Sequence, residues 1–397
     1  MPKISNIFDL LKKLESVDIT VHQARCAVVR NRNASCMKCA DACTSGCISI
    51  VDDELVINPE NCIGCGTCAT VCPTCALEAH NPTDGELSQS ALKALEATGG
   101  EAVFVCEQKL AKEEEVFDPE KLVGVVCLGR VEEALLTSLV VAGAGHISLV
   151  KANCEECDYH TGLTTAEAVC KTTNILLEAW NSDVRANIVE EIPAVSLVEE
   201  LEYDSGRREF FTGMFKGAKN TAAEMADSAF KDAMGEKEEV KEDAKPRYTK
   251  VGKDGSLPHF LPTRREQLIE NLKALGEPQD VLVETRLWAH AVIDKELCND
   301  CQMCATFCPT GAISKIPASE GVFGVDITPN ICVKCCCCTD ICKEKALWLS
   351  DEVFAVDIPS GNYERVLMVP LDEPLGGPHS IYNAMRKKFS IEEVYER

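Results

Sequence analysis

Apolar positions change their spacing several times along this chain, and each change marks an element. Near the start, Ile4, Ile7, Phe8, Leu11 and Leu14 recur at three- and four-residue intervals, which predicts a helix over Ile4–Val17. Such a helix either packs on its own domain or docks a partner. Between residues 86 and 191, short apolar runs alternate with longer amphipathic stretches. Helices are expected at Glu86–Ala97, Val131–Ala142 and Thr164–Trp180. Buried strands are expected at Ala102–Cys106, Leu122–Cys127, His146–Lys151 and Ala186–Glu191. Alternation of this kind argues for a small parallel α/β sheet. The periodicity fades from about Gly206 to Ser256, and Gly235–Lys245 (GEKEEVKEDAK) reads as a solvated linker. A further helix is expected at Thr263–Leu275, with Thr263 as N-cap and Gly276 as stop. The tail offers a strand at Val366–Val369 and a helix near Ser380–Lys388. These shifts divide the chain into segments 1–84, 85–205, 206–262 and 263–397.

Composition narrows the picture. Hydrophobic residues make up 46% of the 397 residues but aromatics only 5%, so the cores should be small and aliphatic. The formal net charge of −24 argues against a nucleic-acid face and against an anionic membrane surface, and favours a partner with a positive patch. No apolar run is long enough to span a membrane, and Met1–Thr20 lacks the apolar core of a secretory signal. A reducing, cytoplasmic and anaerobic setting is therefore expected, not a disulfide scaffold.

The chemistry lies in the cysteines. There are 25, with ten in Cys26–Cys75 and ten in Cys298–Cys342. The spacing C-x2-C-x2-C-x3-C occurs intact at Cys62, Cys65, Cys68 and Cys72, at Cys298, Cys301, Cys304 and Cys308, and at Cys332, Cys335, Cys338 and Cys342. Pro73 and Pro309 follow two of these runs, removing a backbone donor and fixing the exit path. Zinc sites use paired C-x2-C but do not need a third cysteine at this spacing. The two blocks also form an imperfect repeat: Cys308-Pro-Thr-Gly-Ala-Ile lies over Cys72-Pro-Thr-Cys-Ala-Leu, and Cys342-Lys-Glu-Lys-Ala-Leu lies over both.

These runs resemble the two-cluster bacterial ferredoxin family over about residues 20–80 and 285–355. The resemblance implies [4Fe-4S] clusters with crossed ligation, in which the fourth cysteine of one run binds the other run's cluster. By that pattern one cluster takes Cys298, Cys301, Cys304 and Cys342, and its neighbour takes Cys332, Cys335, Cys338 and Cys308.

The first block departs from the pattern, reading Cys36-x2-Cys39-x3-Cys43-x3-Cys47. Either Cys47 is the fourth ligand after a one-residue insertion, or Cys43 is. The internal repeat favours the second, because Cys43-Thr-Ser-Gly-Cys47-Ile-Ser lies over Cys308-Pro-Thr-Gly-Ala312-Ile-Ser. The first ligand position then falls on Asn33, and Cys26 is expected to replace it from upstream. One cluster would take Cys26, Cys36, Cys39 and Cys72, and its neighbour Cys62, Cys65, Cys68 and Cys43, with Cys47 the alternative. Cys47, Cys75, Cys336 and Cys337 are left over as small buried residues beside clusters.

Four of the middle cysteines, Cys106, Cys127, Cys154 and Cys157, are expected at one edge of the sheet, three of them where strands end. Cys170 falls inside a helix and reads as a core thiol. The strings Cys127-Leu-Gly-Arg-Val-Glu, Gly143-Ala-Gly and Cys154-Glu-Glu-Cys-Asp-Tyr-His-Thr-Gly resemble the delta subunit family of methyl-viologen-reducing hydrogenases over about residues 100–165. That likeness implies a [2Fe-2S] cluster and electron transfer to heterodisulfide-reductase-like flavoproteins. The sequence departs from that family in having a single cysteine, Cys106, at the first strand. Zinc and unligated thiols are the alternatives there.

No dinucleotide fingerprint, P-loop or nucleophile elbow is present. The expected fold class is α+β: ferredoxin-like dicluster modules flanking a small α/β parallel-sheet domain. The expected function is single-electron relay through four [4Fe-4S] clusters and one [2Fe-2S] cluster within a larger oxidoreductase complex. Its partner would be a heterodisulfide-reductase-like flavoprotein, a hydrogenase or a molybdopterin enzyme. A catalytic iron–sulfur enzyme using an irregular cluster and a redox-sensing metal protein are the rivals. The acidic linker is expected to let the C-terminal module swing between partners.

Overall fold

The computed structural model describes residues 18–112, 116–198, 251–252 and 254–369. The segments Ile4–Val17, Gly235–Lys245 and Ser380–Lys388, on which a helix, a linker and a helix were expected, lie outside the described residues.

The first module runs β1 (Ile19–Val21), α1 (Ala27–Arg30), α2 (Lys38–Asp41), β2 (Ile48–Val51), β3 (Glu54–Ile57), α3 (Thr67–Val71) and β4 (Leu77–Ala79). β1 and β4 pair antiparallel, with Ile19 opposite Ala79. β2 and β3 form a hairpin whose two turn residues, Asp52 and Asp53, have φ of 50° and 62°. A tight hairpin whose turn follows the twist of its strands requires positive φ at both positions, and aspartate tolerates it.

The middle module begins with α4 (Asp84–Thr98), followed by β5 (Glu101–Cys106), α5 (Glu107–Leu110), β6 (Val123–Val125), α6 (Glu133–Val141), β7 (His146–Val150), α7 (Thr161–Ala179) and β8 (Ala186–Val189). Its four strands lie in the order β6-β5-β7-β8 and all are parallel. Ala102, Phe104 and Cys106 bury into a core shared with Leu87, Leu136 and Val169 of the three long helices. The alternate residues Val103 and Val105 bury on the other face with Val150 and Ile192. Burial on both faces explains why β5 reads as an unbroken apolar run. The helix α4 is fixed at its start by a reciprocal capping box: the Glu86 amide donates to Thr83 Oγ1 (3.3 Å), and the Thr83 amide donates to Glu86 Oε2 (2.9 Å).

The last module runs α8 (Thr263–Leu275), β9 (Leu282–Glu284), β10 (His290–Ile293), α9 (Met303–Phe307), β11 (Ile313–Lys315), β12 (Gly324–Ile327), α10 (Cys337–Ile341), β13 (Leu347–Ser350), β14 (Glu352–Phe354), α11 (Asp357–Ser360) and β15 (Glu364–Leu367). It repeats the first module's plan. β10 and β13 pair antiparallel as β1 and β4 do, and β11 and β12 pair as β2 and β3 do, with β15 added at the edge. Thr263 is the first residue of α8 and not its cap; Pro262 holds the N-cap position and no side chain caps it.

The last module, which the sequence leads one to expect to swing, is packed against the other two in this structure. Asn271 on α8 donates to Ala134 O and Thr137 Oγ1 of α6 (2.8 and 3.0 Å), and Leu268 and Leu272 share a core with Leu176 and Trp180. Arg286 makes two 2.6 Å bonds to the buried Glu133 carboxylate. Arg264 donates to both Asp84 oxygens (2.7 and 2.8 Å) and to Ala69 O. Arg30, 1% exposed, donates to Phe307 O, Cys308 O and Pro258 O (3.3, 3.2 and 2.9 Å). The last residues of the expected linker are packed as well: Val251 and Leu257 are buried with Phe307 and Ala27.

Candidate iron–sulfur sites

Each regular cysteine run is shaped by backbone of unusual hand. In all three, the residue before the second cysteine and the residue after it have positive φ: Gly64 and Gly66 (66° and 74°), Asp300 and Gln302 (59° and 52°), Lys334 and Cys336 (51° and 61°). Non-glycine residues adopt this conformation at a cost of about 1 kcal/mol or more, so it marks a constrained loop. Its effect is to turn amides toward sulfur. The amide two residues on favours the thiolate of Cys65 (from Thr67), Cys298 (Asp300), Cys332 (Lys334) and Cys335 (Cys337). Hydrogen bonds of this kind are among the means by which protein sets a cluster's potential.

The thiols gather in groups. Burial, and then Cys72, Cys26 and Cys36, push the Cys39 thiol up to about 12, so these four side chains share one site. Burial, and then Cys65, Cys39, Cys62 and Cys43, raise Cys68. In the last module burial raises Cys304 to about 12, with Cys301, Cys298 and Cys308 adding to it, while Cys298 feels both Cys301 and Cys342. Cys338 is raised by burial and then by Cys335, Cys332, Cys308 and Cys304. Cys308, Cys332, Cys335 and Cys338 line a common cavity. Such thiols stay protonated until a metal displaces the proton, which couples loading to folding.

The irregular run has its own geometry. Ser35 and Met37, on either side of Cys36, are not left-handed, while α2 carries Cys39 as α3, α9 and α10 carry Cys68, Cys304 and Cys338. Cys26 stands at the N-cap of α1, buried, where the Val28 and Val29 amides favour its thiolate and Cys72 and Cys36 lie beside it. A second signature concerns the fourth cysteine. Three residues beyond Cys72, Cys308 and Cys342 stand Cys75, Gly311 and Lys345, all left-handed (46°, 78° and 53°). Three residues beyond Cys43 stands Gly46, also left-handed at 64°. The carbonyl of Cys47 accepts from Asn58, as that of Ala312 accepts from Thr328, so Cys47 occupies an alanine position. Cys43 and Cys47 are still only 3.5 Å apart. Burial opposes ionisation of Cys43, but hydrogen bonds from Ser45, Cys47 and Gly46 outweigh it and lower its pKa; Cys47 is held at about 12.

The four middle cysteines line one pocket together with Gln108, Leu128, Tyr159 and Leu163. Cys106 ends β5, and Cys127 precedes a tight turn, Leu128–Arg130. Cys154 and Cys157 occupy the loop before α7. Burial raises Cys127 to about 12, with Cys106 and Cys154 contributing. Gly162 at the start of α7 is required here, because a Cβ at that position would collide with Cys127 Sγ. Cys170 is buried in the helix core, and His160 is exposed.

The groups form a succession. Cys127 lies near Cys65, and Cys68 near Cys39. Cys36 lies near Cys336 and Cys337, and Cys337 near Cys308. Cys338 in turn lies near Cys304. Neighbouring sites therefore run from the Cys298 group through the Cys332, Cys26 and Cys62 groups to the middle group. Among the described residues, no three Cys, His, Asp or Glu side chains converge as a single metal ion requires. A four-iron cluster, being larger than an ion, holds its thiolates further apart.

Two positioning residues escaped the sequence reading. Arg30 ties the Cys26 loop to the carbonyls beside Cys308, and Arg130, 1% exposed, donates to Asp84 Oδ1 and Pro82 O beneath the Cys65–Cys68 turn. The contacts that give them this role, to Phe307, Cys308 and Pro258 and to Asp84 and Pro82, are distant in sequence and left no spacing to read.

The 4Fe-4S binding domain family model matches residues 55–78 and 291–314, which contain the Cys62 and Cys298 runs. The chain thus carries [4Fe-4S]-binding, ferredoxin-type segments near both ends. It is 38% identical over 55 residues to a ferredoxin of Rickettsia felis, covering 13% of this chain and 50% of that one. It is 35% identical over 57 residues to AegA of Escherichia coli (strain K12), an oxidoreductase by name, covering 14% of this chain and 9% of that one. The chain thus spans half or less of the length of these curated relatives. No solved structure matches. These likenesses support an iron–sulfur electron-transfer role. None of the described helices is long and apolar enough to cross a membrane.

Proposed function

We propose that this protein is an electron relay of five iron–sulfur clusters within a larger cytoplasmic oxidoreductase complex. Four are [4Fe-4S] clusters, held by Cys26, Cys36, Cys39 and Cys72; by Cys43, Cys62, Cys65 and Cys68; by Cys298, Cys301, Cys304 and Cys342; and by Cys308, Cys332, Cys335 and Cys338. The fifth is a [2Fe-2S] cluster on Cys106, Cys127, Cys154 and Cys157. The observation that carries this reading is the unbroken succession of thiol groups across all three modules. When bound, the clusters supply one-electron redox chemistry. The chain's own residues space them, exclude water and direct amide donors at their sulfurs. Cys298 and Cys301 at one end and Cys154 and Cys157 at the other are partly exposed, which suits exchange with partners at both ends. Those partners belong to the redox class of a heterodisulfide-reductase-like flavoprotein, a hydrogenase or a molybdopterin enzyme. The chain's strongly negative charge favours positively charged docking faces on them.

Anaerobic reductive titration of the reconstituted chain tests the reading. One electron per cluster gives an uptake of about five per chain. An uptake of none, with metal bound, overturns it.

A further inference from the structure

A cavity of about 470 Å³ lies where the three modules meet. It is not the space enclosed by any thiol group: of the cysteines that share a site with Cys72, none other lines it. Lys38 and Cys72 reach it from the first module, Glu133 and Thr164 from the middle one, and Arg265 and Leu287 from the last. The volume falls in the range of small-molecule sites.

Its charges are unevenly satisfied. Arg264 is matched by Asp84, and Arg286 by Glu133. Glu132 accepts from the Ala134 and Leu135 amides, capping α6. Arg265 has no such partner. It is 6% exposed, lies over the Trp288 ring at 4.2 Å, and spends one nitrogen on Leu287 O, while its buried Nη1 has no hydrogen-bond partner. A buried donor of a charged group left unpaired loses its water without recompense, so a molecule that accepts from it is favoured. Lys38 lines the same cavity, donating to the Lys334 carbonyl at 3.0 Å and lying near the Cys36 and Cys336 thiols. The rest of the wall mixes apolar side chains, including Val71, Leu268 and Val333, with threonines and the Asp41 carboxylate. A guanidinium fork with a spare edge, an ammonium in the same lining and apolar patches of wall together select a planar carboxylate with an apolar body.

We propose that this cavity binds a small amphipathic carboxylate, whose anionic head is held by Arg265 and Lys38 and whose body rests between the modules. Because the site is built from all three modules, its occupant binds only the docked arrangement and stabilises it.

The probes are benzoate and hexanoate, with inorganic phosphate as the control that lacks an apolar body. Equilibrium dialysis against the full reconstituted chain should show saturable binding of at least one carboxylate, near one per chain, and a thermal midpoint that rises with its concentration. Phosphate should do neither. Arg265→Gln should weaken the binding at least tenfold. If that variant fails to fold, Thr164→Trp at the exposed rim fills the cavity and should abolish binding while leaving the iron content unchanged. Absence of saturable binding by either carboxylate overturns the proposal, as does binding that survives Thr164→Trp. So does an Arg265→Gln variant that shifts a cluster potential while leaving carboxylate binding unchanged, since Arg265, which lies near the Cys332 thiol, would then serve that group. Iron content is read separately, so loss of the relay reading and loss of this one are told apart.

Discussion

Cys26 and Cys47 are both buried, both irregular in spacing and both close to expected ligands, yet their surroundings differ. Cys26 lies beside Cys36 and Cys72 with two amides aimed at its sulfur, whereas Cys47 stands at an alanine position next to Cys43. Substituting Cys26→Ala should therefore remove up to four irons per chain, while Cys47→Ala should retain the full complement; iron assay and EPR of the reduced proteins check this. Gly162 makes a comparable claim for the middle group. Gly162→Ala should drive Cys127 aside and eliminate the [2Fe-2S] signal, leaving the [4Fe-4S] signals in place. The regular runs were legible in the sequence because their spacing is the chemistry itself. The place of Cys43 was legible only through the repeat, and the left-handed Gly46 supplies a structural counterpart to that alignment. Gly162 was not legible, because the atom that forbids a side chain there belongs to a residue far away in the chain.

Elements were readable where burial imposes a period. β5 and β7 alternate between two cores, and α7 places Ala166, Val169 and Cys170 on one face. Their ends were harder. The expected strand Leu122–Cys127 shortens to Val123–Val125, since the chain turns away to bring Cys127 to the pocket. The helix α4 begins earlier than expected because Thr83 and Glu86 cap it. Thr83→Ala should cost about 1 kcal/mol in chemical denaturation. The contacts that dock α8 had no signature at all, because Arg264 and Asp84 lie far apart in sequence. Burial raises the Asp84 carboxyl, but Arg264 and Arg130 outweigh it and hold it at about 2. A depressed carboxylate pKa stabilises the fold above the unfolded value near 4, and that contribution is lost as pH falls from about 4 to about 2. Docking should therefore be insensitive to pH from neutral down to about 5 and weaken only below that. Asp84→Asn should remove this acid limb and cost about 2 kcal/mol at neutral pH, less than for a fully buried pair because Asp84 is half exposed. Thermal melts across pH check both.

At the scale of the whole molecule, buried groups span the seams between the three modules. Arg30 crosses from the Cys26 loop to the carbonyls at Phe307 and Cys308, and Glu133 with Arg286 joins the middle to the last module. Fixed seams are what a relay needs, since the distance between clusters has to be held while electrons pass. Arg30→Met would leave several carbonyls unpaired and should cost about 3 kcal/mol, separating the Cys26 group from the Cys332 group. The cluster signals should survive in that variant, while rapid equilibration of electrons between the first and last modules should slow, as freeze-quench EPR would show.

A five-cluster relay requires iron in every thiol group, and metal analysis of the full chain purified without oxygen tests that directly. About eighteen irons per chain with no stoichiometric zinc are expected, from four [4Fe-4S] clusters and one [2Fe-2S] cluster. Zinc as the dominant metal, or an iron count of about eight or fewer, would contradict it.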